Sequence, residues 1–189
     1  MNIITKPSTA LEQFTQRYVE LWQATYQHDP KSEALYDMPS PCITETKGSV
    51  VFWRPVAAEG KSLTIVEQVI NITLHPDAHY FYQTQYAGDM QAVFNDVSLS
   101  LIQVWNDEDF ARLEQHLIAH LTMQKKLKRR PSVFIASTND DTEIISIDNQ
   151  TGNILLERLI DNKNTLLADN LIEFLAQLKP IAQLDFSSV

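Results

Sequence analysis

The chain is poor in the residues that hold small folds together covalently or through metals. Cys42 is its single cysteine, so it cannot form an internal disulfide or a thiolate cluster for zinc. No apolar run approaches the roughly 18 residues that cross a bilayer. The N-terminal stretch "MNIITKPSTALEQF" lacks the basic start and apolar core of a secretory signal. These absences predict a soluble protein of the cytoplasm.

Basic residues are also scarce, and they are unevenly placed. The chain has 15 Lys and Arg against 24 Asp and Glu, which gives a net charge of −9. Residues 121–130 contain five of the bases and no acid, whereas residues 61–120 contain two bases and eight acids. A largely acidic field repels phosphate backbones and attracts basic partners. We therefore expect no direct binding of nucleic acid.

Apolar residues are abundant enough for a folded core. The 189 residues are 44% hydrophobic and include 8 Phe, 6 Tyr and 3 Trp. A chain of this length buries most of the surface that its unfolded form exposes. No repeat or low-complexity tract divides it, so we expect a single domain over residues 1–189.

Apolar residues at helical spacing predict three main helices. The first covers about 10–27 and begins with a capping box, "TALE", at Thr9. The second covers 106–130, with acids in its first turn and bases in its last, an order that complements the helix dipole. The third closes the chain over about 167–178.

Between these helices the sequence predicts strands at 49–55, 132–137, 143–148 and 153–159, and a hairpin over about 90–105 with Asn95 and Asp96 at its turn. The shorter segments are an extended linker at 38–43 after a helical turn at "SEALY", a stretch at 62–70 that leans towards helix, and a stretch at 71–86 that is either strand or helix. This order predicts an α+β domain. Its sheet is largely antiparallel and flanked by N-terminal, central and C-terminal helices.

Histidine and cysteine give only weak signs of catalysis or metal binding. His116 and His120 lie one helical turn apart, as do His75 and His79, but neither pair encloses the Glu of a metalloprotease helix. Cys42 lies in a proline-flanked extended segment, without the helix N-terminus or adjacent cation that activates a thiol. We predict ordinary surface or core histidines, a buried or inert thiol, no cofactor and no metal.

Acids beside aromatic residues form the more informative pattern. The stretch "QYAGDM" (85–90) contains one of only 4 glycines, directly before an acid. We expect Gly88 to permit a tight turn, for which a positive φ is one option, that presents the next carboxylate. Carboxylates and aromatic rings together bind Lys and Arg side chains through ion pairs and cation–π contacts. The candidate partner-binding residues are Glu33, Tyr36, Asp37, Glu67, Tyr86 and Asp89.

The run "KKLKRR" at 125–130 is strongly basic. Docking on a membrane surface or on RNA is one interpretation of it. Cations at the C-terminal end of a helix also stabilise that helix while they stay solvated. We favour this second interpretation, since the surrounding field is acidic.

Four long segments resemble one family. They are "ALYDMPSPCI" (34–43), "FYQTQYAGDMQAVF" (81–94), "WNDEDFARLEQHLIAHLTMQKKLKRRPSVFIA" (105–136) and "NLIEFLAQLKP" (170–180). Together they are similar to Syd, the SecY-interacting protein family of gammaproteobacteria, in order through nearly the whole chain. The resemblance implies the α+β fold of the wider SUKH group, which includes many toxin-immunity proteins. It also implies a cytoplasmic protein that associates peripherally with the inner membrane through SecY, the translocon channel.

The function implied by this resemblance is recognition without catalysis, with a part in monitoring the assembly of SecY with SecE. Cytoplasmic loops of membrane proteins are rich in Lys and Arg. We predict that an acidic, aromatic-lined groove receives such loops, with Asp89 on its rim or floor. Two alternatives stay open: a SUKH-type immunity protein that neutralises a basic toxin, and a small hydrolase that uses Cys42 or a histidine-bound metal.

Overall fold

The computed structural model describes residues 6–183. Within them, the helices are α1 Pro7–Tyr26, α2 Thr64–Ile70, α3 Pro76–Gln83, α4 Asp107–Lys126 and α5 Leu171–Gln177. The strands are β1 Lys31–Ser32, β2 Ile43–Lys47, β3 Val50–Trp53, β4 Val56–Ala57, β5 Gln85–Tyr86, β6 Met90–Phe94, β7 Val97–Leu101, β8 Ser132–Thr138, β9 Glu143–Asp148, β10 Ile154–Arg158, β11 Lys163–Ala168 and β12 Lys179–Pro180. Among these residues, no helix combines the length and the hydropathy that a bilayer span requires.

Seven strands form the main sheet, in the order β11-β10-β9-β8-β7-β6-β12. Every neighbouring pair in it is antiparallel. β6 and β7 form the predicted hairpin, in which Met90 pairs with Leu101 and Phe94 with Val97. β1, β3 and β2 form a smaller sheet, and β4 pairs with β5. The predicted α+β fold with an antiparallel sheet and flanking helices is confirmed.

A continuous hydrophobic cluster joins the helices to the sheet. α1 packs against α3, α5 and β12, and α4 packs against α2 and β8. On β6 the alternate residues Met90, Ala92 and Phe94 are buried, as expected for a strand with one face on the core. The ring of Phe94 lies 5.0 Å from that of Phe174, which connects the sheet to α5.

α1 begins earlier than predicted. Its N-cap is Lys6 in an extended conformation, no side chain caps it, and Pro7 occupies its first turn. Thr9 is inside the helix, so the predicted capping box at Thr9 is wrong. Proline is favoured at this position because its fixed φ suits a helix and its missing N–H has no partner to lose there.

α4 begins where predicted and ends sooner. The Asn106 Oδ1 accepts the backbone N–H of Asp109 at 2.8 Å, which caps the helix. The helix ends at Lys126, and Lys128 has a φ of 56°. The bases at 128–130 therefore lie beyond the last turn, contrary to the prediction of a helix through residue 130.

Five strands were missed: the two-residue β1, β4 and β12, and the longer β2 and β11. β2 and β11 have mostly exposed side chains, so neither shows the apolar alternation that predicts a strand. Leu167, which was assigned to the closing helix, lies in β11. α5 begins at Leu171, where the Oδ1 of Asn170 accepts the backbone N–H of Glu173 at 2.9 Å.

The structure corrects the prediction for one short segment and resolves the ambiguity of another. Residues 33–38 form consecutive turns, with backbone bonds from Tyr36 N to Glu33 O and from Met38 N to Leu35 O, so "SEALY" is not a helical turn. The ambiguous stretch 71–86 contains both alternatives: α3 is followed directly by β5.

Candidate binding cavity

A cavity of about 420 Å³ opens where distant parts of the chain meet. Its lining comes from α1, the β1 segment, β3, the link between β5 and β6, and the segment that leads from β7 into α4. The side chains that define its chemistry are Trp22, Lys31, Trp53, Asp89, Trp105 and Asp109. We call it the Asp89 cavity.

The aromatic wall of the cavity contains all three tryptophans of the chain. The ring of Trp53 stacks on that of Tyr18 with centroids 6.1 Å apart, and it meets Trp105 edge-on at 6.5 Å. The indole N–H of Trp105 donates to the carbonyl oxygen of Met38 at 2.9 Å. The wall is therefore fixed by ring packing and hydrogen bonding, and each of its three indoles is only 2% exposed.

Gly88 allows the backbone to pass directly against this wall. A Cβ on Gly88 would lie 2.8 Å from Cε2 of Trp53, closer than side-chain carbons approach other atoms. Residues 87–89 form an irregular link, and φ at Gly88 is outside the left-handed region. The predicted tight turn is therefore wrong. Glycine is needed here because of close packing, not because of backbone conformation.

Asp89 lines the cavity and remains accessible to water. Its Oδ1 accepts the backbone N–H of Gln103 at 2.8 Å. The concave surroundings replace much of the hydration shell of the carboxylate, and this burial raises the pKa of Asp89 to about 6. The hydrogen bond from Gln103 lowers the pKa, and the charge of Asp109 raises it. A carboxylate in this state gains more from a bound cation than one in open water does.

Asp109 supplies the second carboxylate of the cavity from the first turn of α4. Its Oδ2 accepts the backbone N–H of Trp105 at 2.9 Å, and its Oδ1 lies 3.3 Å from Nη2 of Arg112. Lys31 also lines the cavity, and no carboxylate of the described chain lies within 4 Å of its ammonium. The charged lining therefore combines two carboxylates with one cation.

Buried amides hold the hydrogen-bond donor of Asp89 in place. The Nε2 of Gln85 donates to Oε1 of Gln103 at 2.9 Å and to Oγ1 of Thr15 at 2.8 Å. The Nε2 of Gln103 donates to the carbonyl of Ile102 at 2.8 Å. Such satisfied buried networks are rigid, so the position of Asp89 is fixed relative to the sheet.

Three predicted site residues lie in the turn after β1. Ala34 and Leu35 of this turn line the cavity, whereas Glu33, Tyr36 and Asp37 are exposed and outside its lining. The two acids of this turn, Glu33 and Asp37, are therefore neighbours of the cavity and contribute to the field at its rim.

Tyr86 is outside the cavity lining. Its hydroxyl donates to the carboxylate of Asp107, which also lies 2.6 Å from Nζ of Lys61. Hydrogen bonds from Lys61 and Tyr86 lower the pKa of Asp107. Tyr86 and Asp107 line a separate depression of about 300 Å³ together with Pro39 and neighbouring residues.

Glu67 is also outside the cavity lining. Its Oε1 accepts the backbone N–H of Leu74 at 2.8 Å and lies 3.1 Å from Nε2 of His79. The structure thus places Asp89 in the cavity, Glu33, Tyr36 and Asp37 next to it, and Tyr86 and Glu67 elsewhere.

The family can be assigned by comparison with known proteins. A family model described as Syd protein (SUKH-2) matches residues 8–180. Two curated relatives, each named Protein Syd, are 47% identical to this chain over 175 residues. They come from Yersinia pestis (strain Pestoides F) and Yersinia pseudotuberculosis serotype I (strain IP32953). The matched region covers 92% of this chain and 96% of each relative. The chain belongs to the Syd family.

This membership confirms the resemblance drawn from the four long segments. Protein Syd from Yersinia enterocolitica serotype O:8 / biotype 1B is likewise 47% identical over 92% of this chain. The cavity of this Syd-family chain contains residues that sequence reasoning did not select: Trp22, Lys31, Trp53, Gln103 and Asp109. Only Asp109 had a local signal, since it is an acid close to Trp105 at a helix start.

Two of the histidines and the cysteine make structural contacts, whereas His116 is exposed on α4. The Nδ1 of His75 accepts the backbone N–H of Asp77 at 3.2 Å and caps α3. The ring of His120 packs edge-on against Phe134, and burial lowers its pKa. Burial raises the pKa of the Cys42 thiol, which favours the unreactive protonated form. Within residues 6–183, no three side chains of His, Cys, Asp or Glu meet as a metal ligand set.

Proposed function

We propose that this Syd-family protein is a non-catalytic binder of the basic cytoplasmic loops of SecY, and that the Asp89 cavity receives a Lys or Arg side chain from those loops. On this proposal the protein works in the cytoplasm and associates peripherally with the cytoplasmic side of the inner membrane through SecY. A part in monitoring the assembly of SecY with SecE belongs to the same proposal.

The observation that carries the proposal is the pair of carboxylates at one aromatic-walled cavity. Partial burial raises the pKa of Asp89, and repulsion from the nearby Asp109 adds to this effect. A bound cation relieves both that repulsion and the loss of hydration.

The charge of the whole chain supports selectivity for a protein partner. A net charge of −9 repels anionic surfaces at long range and attracts the Lys-rich and Arg-rich loops of membrane proteins. Glu33 and Asp37, which are exposed beside the cavity, extend this field outward. Steering of this kind raises the association rate and weakens with added salt.

The proposal is tested by capture of detergent-solubilised SecY on the immobilised protein. We compare the wild type with Asp89→Asn, which keeps the acceptor for the Gln103 N–H but removes the charge. Asp141→Asn is the matched control, because it makes the same charge change at an exposed loop residue. We expect Asp89→Asn to weaken capture at least tenfold, Asp141→Asn to change it less than twofold, and salt to weaken wild-type capture steeply.

Equal capture by the wild type and Asp89→Asn would remove the cavity from the interface. Capture that does not depend on salt would argue for an apolar interface. Retention of a basic toxin in place of SecY would favour the immunity alternative.

A further inference from the structure

A group of unpaired cations lies at the C-terminal end of α4. Within the described residues, Arg130 lies 3.7 Å from a carboxylate oxygen of Asp148. The other four bases of 125–130 have no carboxylate of that part of the chain within 4 Å: Lys125, Lys126, Lys128 and Arg129. Their positive charge is therefore uncompensated locally, although the chain as a whole is acidic.

Exposed apolar side chains lie next to these cations, in the chain or through a contact of Arg129. Met123 and Leu127, one turn apart on α4 and its C-cap, are 54% and 52% exposed. Ile160, in the turn between β10 and β11, is 75% exposed. The Nη2 of Arg129 donates to the carbonyl oxygen of Leu159 at 3.0 Å, which holds the basic loop against that turn. We call this surface the basic-apolar patch: Met123, Lys125, Lys126, Leu127, Lys128, Arg129, Leu159 and Ile160.

Stabilisation of the helix end does not account for the patch. Only Lys125 and Lys126 lie in the last turn of α4, where the helix dipole favours cations. Lys128 and Arg129 follow the helix, and the dipole gives no reason for exposed aliphatic residues. Cations beside exposed aliphatic side chains are instead typical of surfaces that lie on anionic membranes.

We propose that the basic-apolar patch docks on an anionic lipid bilayer. Its ammonium and guanidinium groups bind headgroup phosphates, while Ile160 and Leu127 enter the interfacial region. The aliphatic character of the patch favours lipid over RNA, since single-stranded RNA binding relies on aromatic side chains that stack on bases. The exposed tyrosines of the described chain, Tyr36 and Tyr80, are outside the patch.

The acidity of the rest of the chain is compatible with this docking. Charges are screened beyond roughly 8 Å at physiological salt, so the groups nearest the lipid dominate. Asp109 of the cavity and Lys126 of the patch lie at opposite ends of α4, roughly 25 Å apart at 1.5 Å per residue. The patch can therefore contact lipid while the Asp89 cavity stays away from the headgroups.

The test is flotation of the full-length protein with lipid vesicles in the absence of SecY, so it is independent of the proposed SecY binding. Vesicles of phosphatidylcholine alone are compared with vesicles that contain 30% phosphatidylglycerol as a molar fraction. The variants are Lys126→Gln/Lys128→Gln and, separately, Ile160→Ser. The matched control is Lys47→Gln/Lys179→Gln, which removes two charges from exposed strand residues elsewhere.

We expect the wild type to bind only the anionic vesicles and to detach at high salt. Each base near the leaflet contributes roughly fivefold to partitioning, so Lys126→Gln/Lys128→Gln reduces binding at least tenfold. The control changes it less than twofold, and Ile160→Ser reduces it several-fold. Circular dichroism verifies that every variant is folded.

Three results would overturn the proposal: no binding of the wild type to anionic vesicles, equal loss in the two double variants, or binding of tRNA with no binding of vesicles. The last result would assign the patch to nucleic acid.

Discussion

A Cβ on Gly88 would lie 2.8 Å from Cε2 of the Trp53 indole. This close approach brings the backbone of residues 87–89 against the aromatic wall. The carboxylate of Asp89 follows directly in the chain, and its bond to the Gln103 N–H fixes it at 2.8 Å from that nitrogen. Steric and hydrogen-bonding constraints therefore act together to place an anion beside tryptophan rings.

The Gly88–Trp53 contact predicts that Gly88→Ala is destabilising. The backbone at Gly88 accommodates alanine, but the new methyl group overlaps a buried indole that cannot move freely. Overpacking of this kind costs about 1–3 kcal/mol, measured by urea unfolding. A double-mutant cycle with Trp53→Phe gives the control. The double variant should lose less stability than the sum of the losses in the two single variants. A loss below about 0.5 kcal/mol would contradict the close contact.

Asp89→Asn is predicted to stabilise the protein at neutral pH. The pKa of Asp89 is raised from its ordinary 3.8 to about 6, so folding disfavours the ionised form. The cost builds as pH rises from about 4 to 6 and is complete above that range. It amounts to about 1 kcal/mol, once allowance is made for the water that reaches the carboxylate.

The measurement is the unfolding free energy of the wild type and Asp89→Asn at pH 7.5 and pH 4. The gain should be present at pH 7.5 and small at pH 4, where the wild-type carboxyl is protonated in the folded state. Asp141→Asn should produce no such pattern. A variant that is less stable at pH 7.5 would indicate that Asp89 has a structural role.

Lys31→Met is predicted to tighten the binding of SecY. Lys31 lines the cavity without an ion pair in the described chain, so its ammonium competes with an incoming cation. Removing one such charge near the site is worth roughly 0.5–1 kcal/mol, or two- to fivefold in affinity. Lys47→Met is the control for net charge, and titration of solubilised SecY measures the difference. Weaker binding by Lys31→Met alone would show that this lysine contacts the partner.

Cys42 is predicted to react slowly in the native protein. Burial raises the pKa of its thiol. The backbone N–H of Cys42 donates a hydrogen bond to Oγ of Ser40 at 3.0 Å, which holds the backbone in place. Labelling with a chromogenic disulfide should be at least about a hundredfold slower than labelling of a free thiol. Both the small thiolate fraction of Cys42 and its poor access to the reagent slow the reaction. Full labelling should follow denaturation. Rapid native labelling would revive the hydrolase alternative.

Elements with strong local patterns were predicted correctly from the sequence. The hairpin β6–β7 alternates apolar and polar residues around Asn95, and α4 begins with an Asn106 cap followed by acids. β11 was missed because most of its side chains are exposed at the sheet edge. The Leu167 and Leu171 spacing then suggested a helix one turn too long, although a strand ends at Ala168.

The cavity was less predictable than the fold. Asp89 was recognised from its neighbours in the sequence, but its pKa depends first on burial in the cavity, and then on Gln103 and Asp109, which the fold brings close. Adjacency of an acid to an aromatic residue also selected Tyr86, whose hydroxyl is used by Asp107. Contacts between segments as distant as Trp22 and Trp105 are set by packing, and no local pattern reports them.

The most direct test of the account is the pH dependence of SecY binding by the wild type and by Asp89→Asn. If the ionised Asp89 binds the cation, wild-type affinity should fall about tenfold between pH 7.5 and pH 5, because a group of pKa about 6 becomes protonated over that range. Binding by Asp89→Asn should be weak throughout and nearly independent of pH. Wild-type and variant curves that coincide would contradict the central claim that Asp89 provides the binding charge.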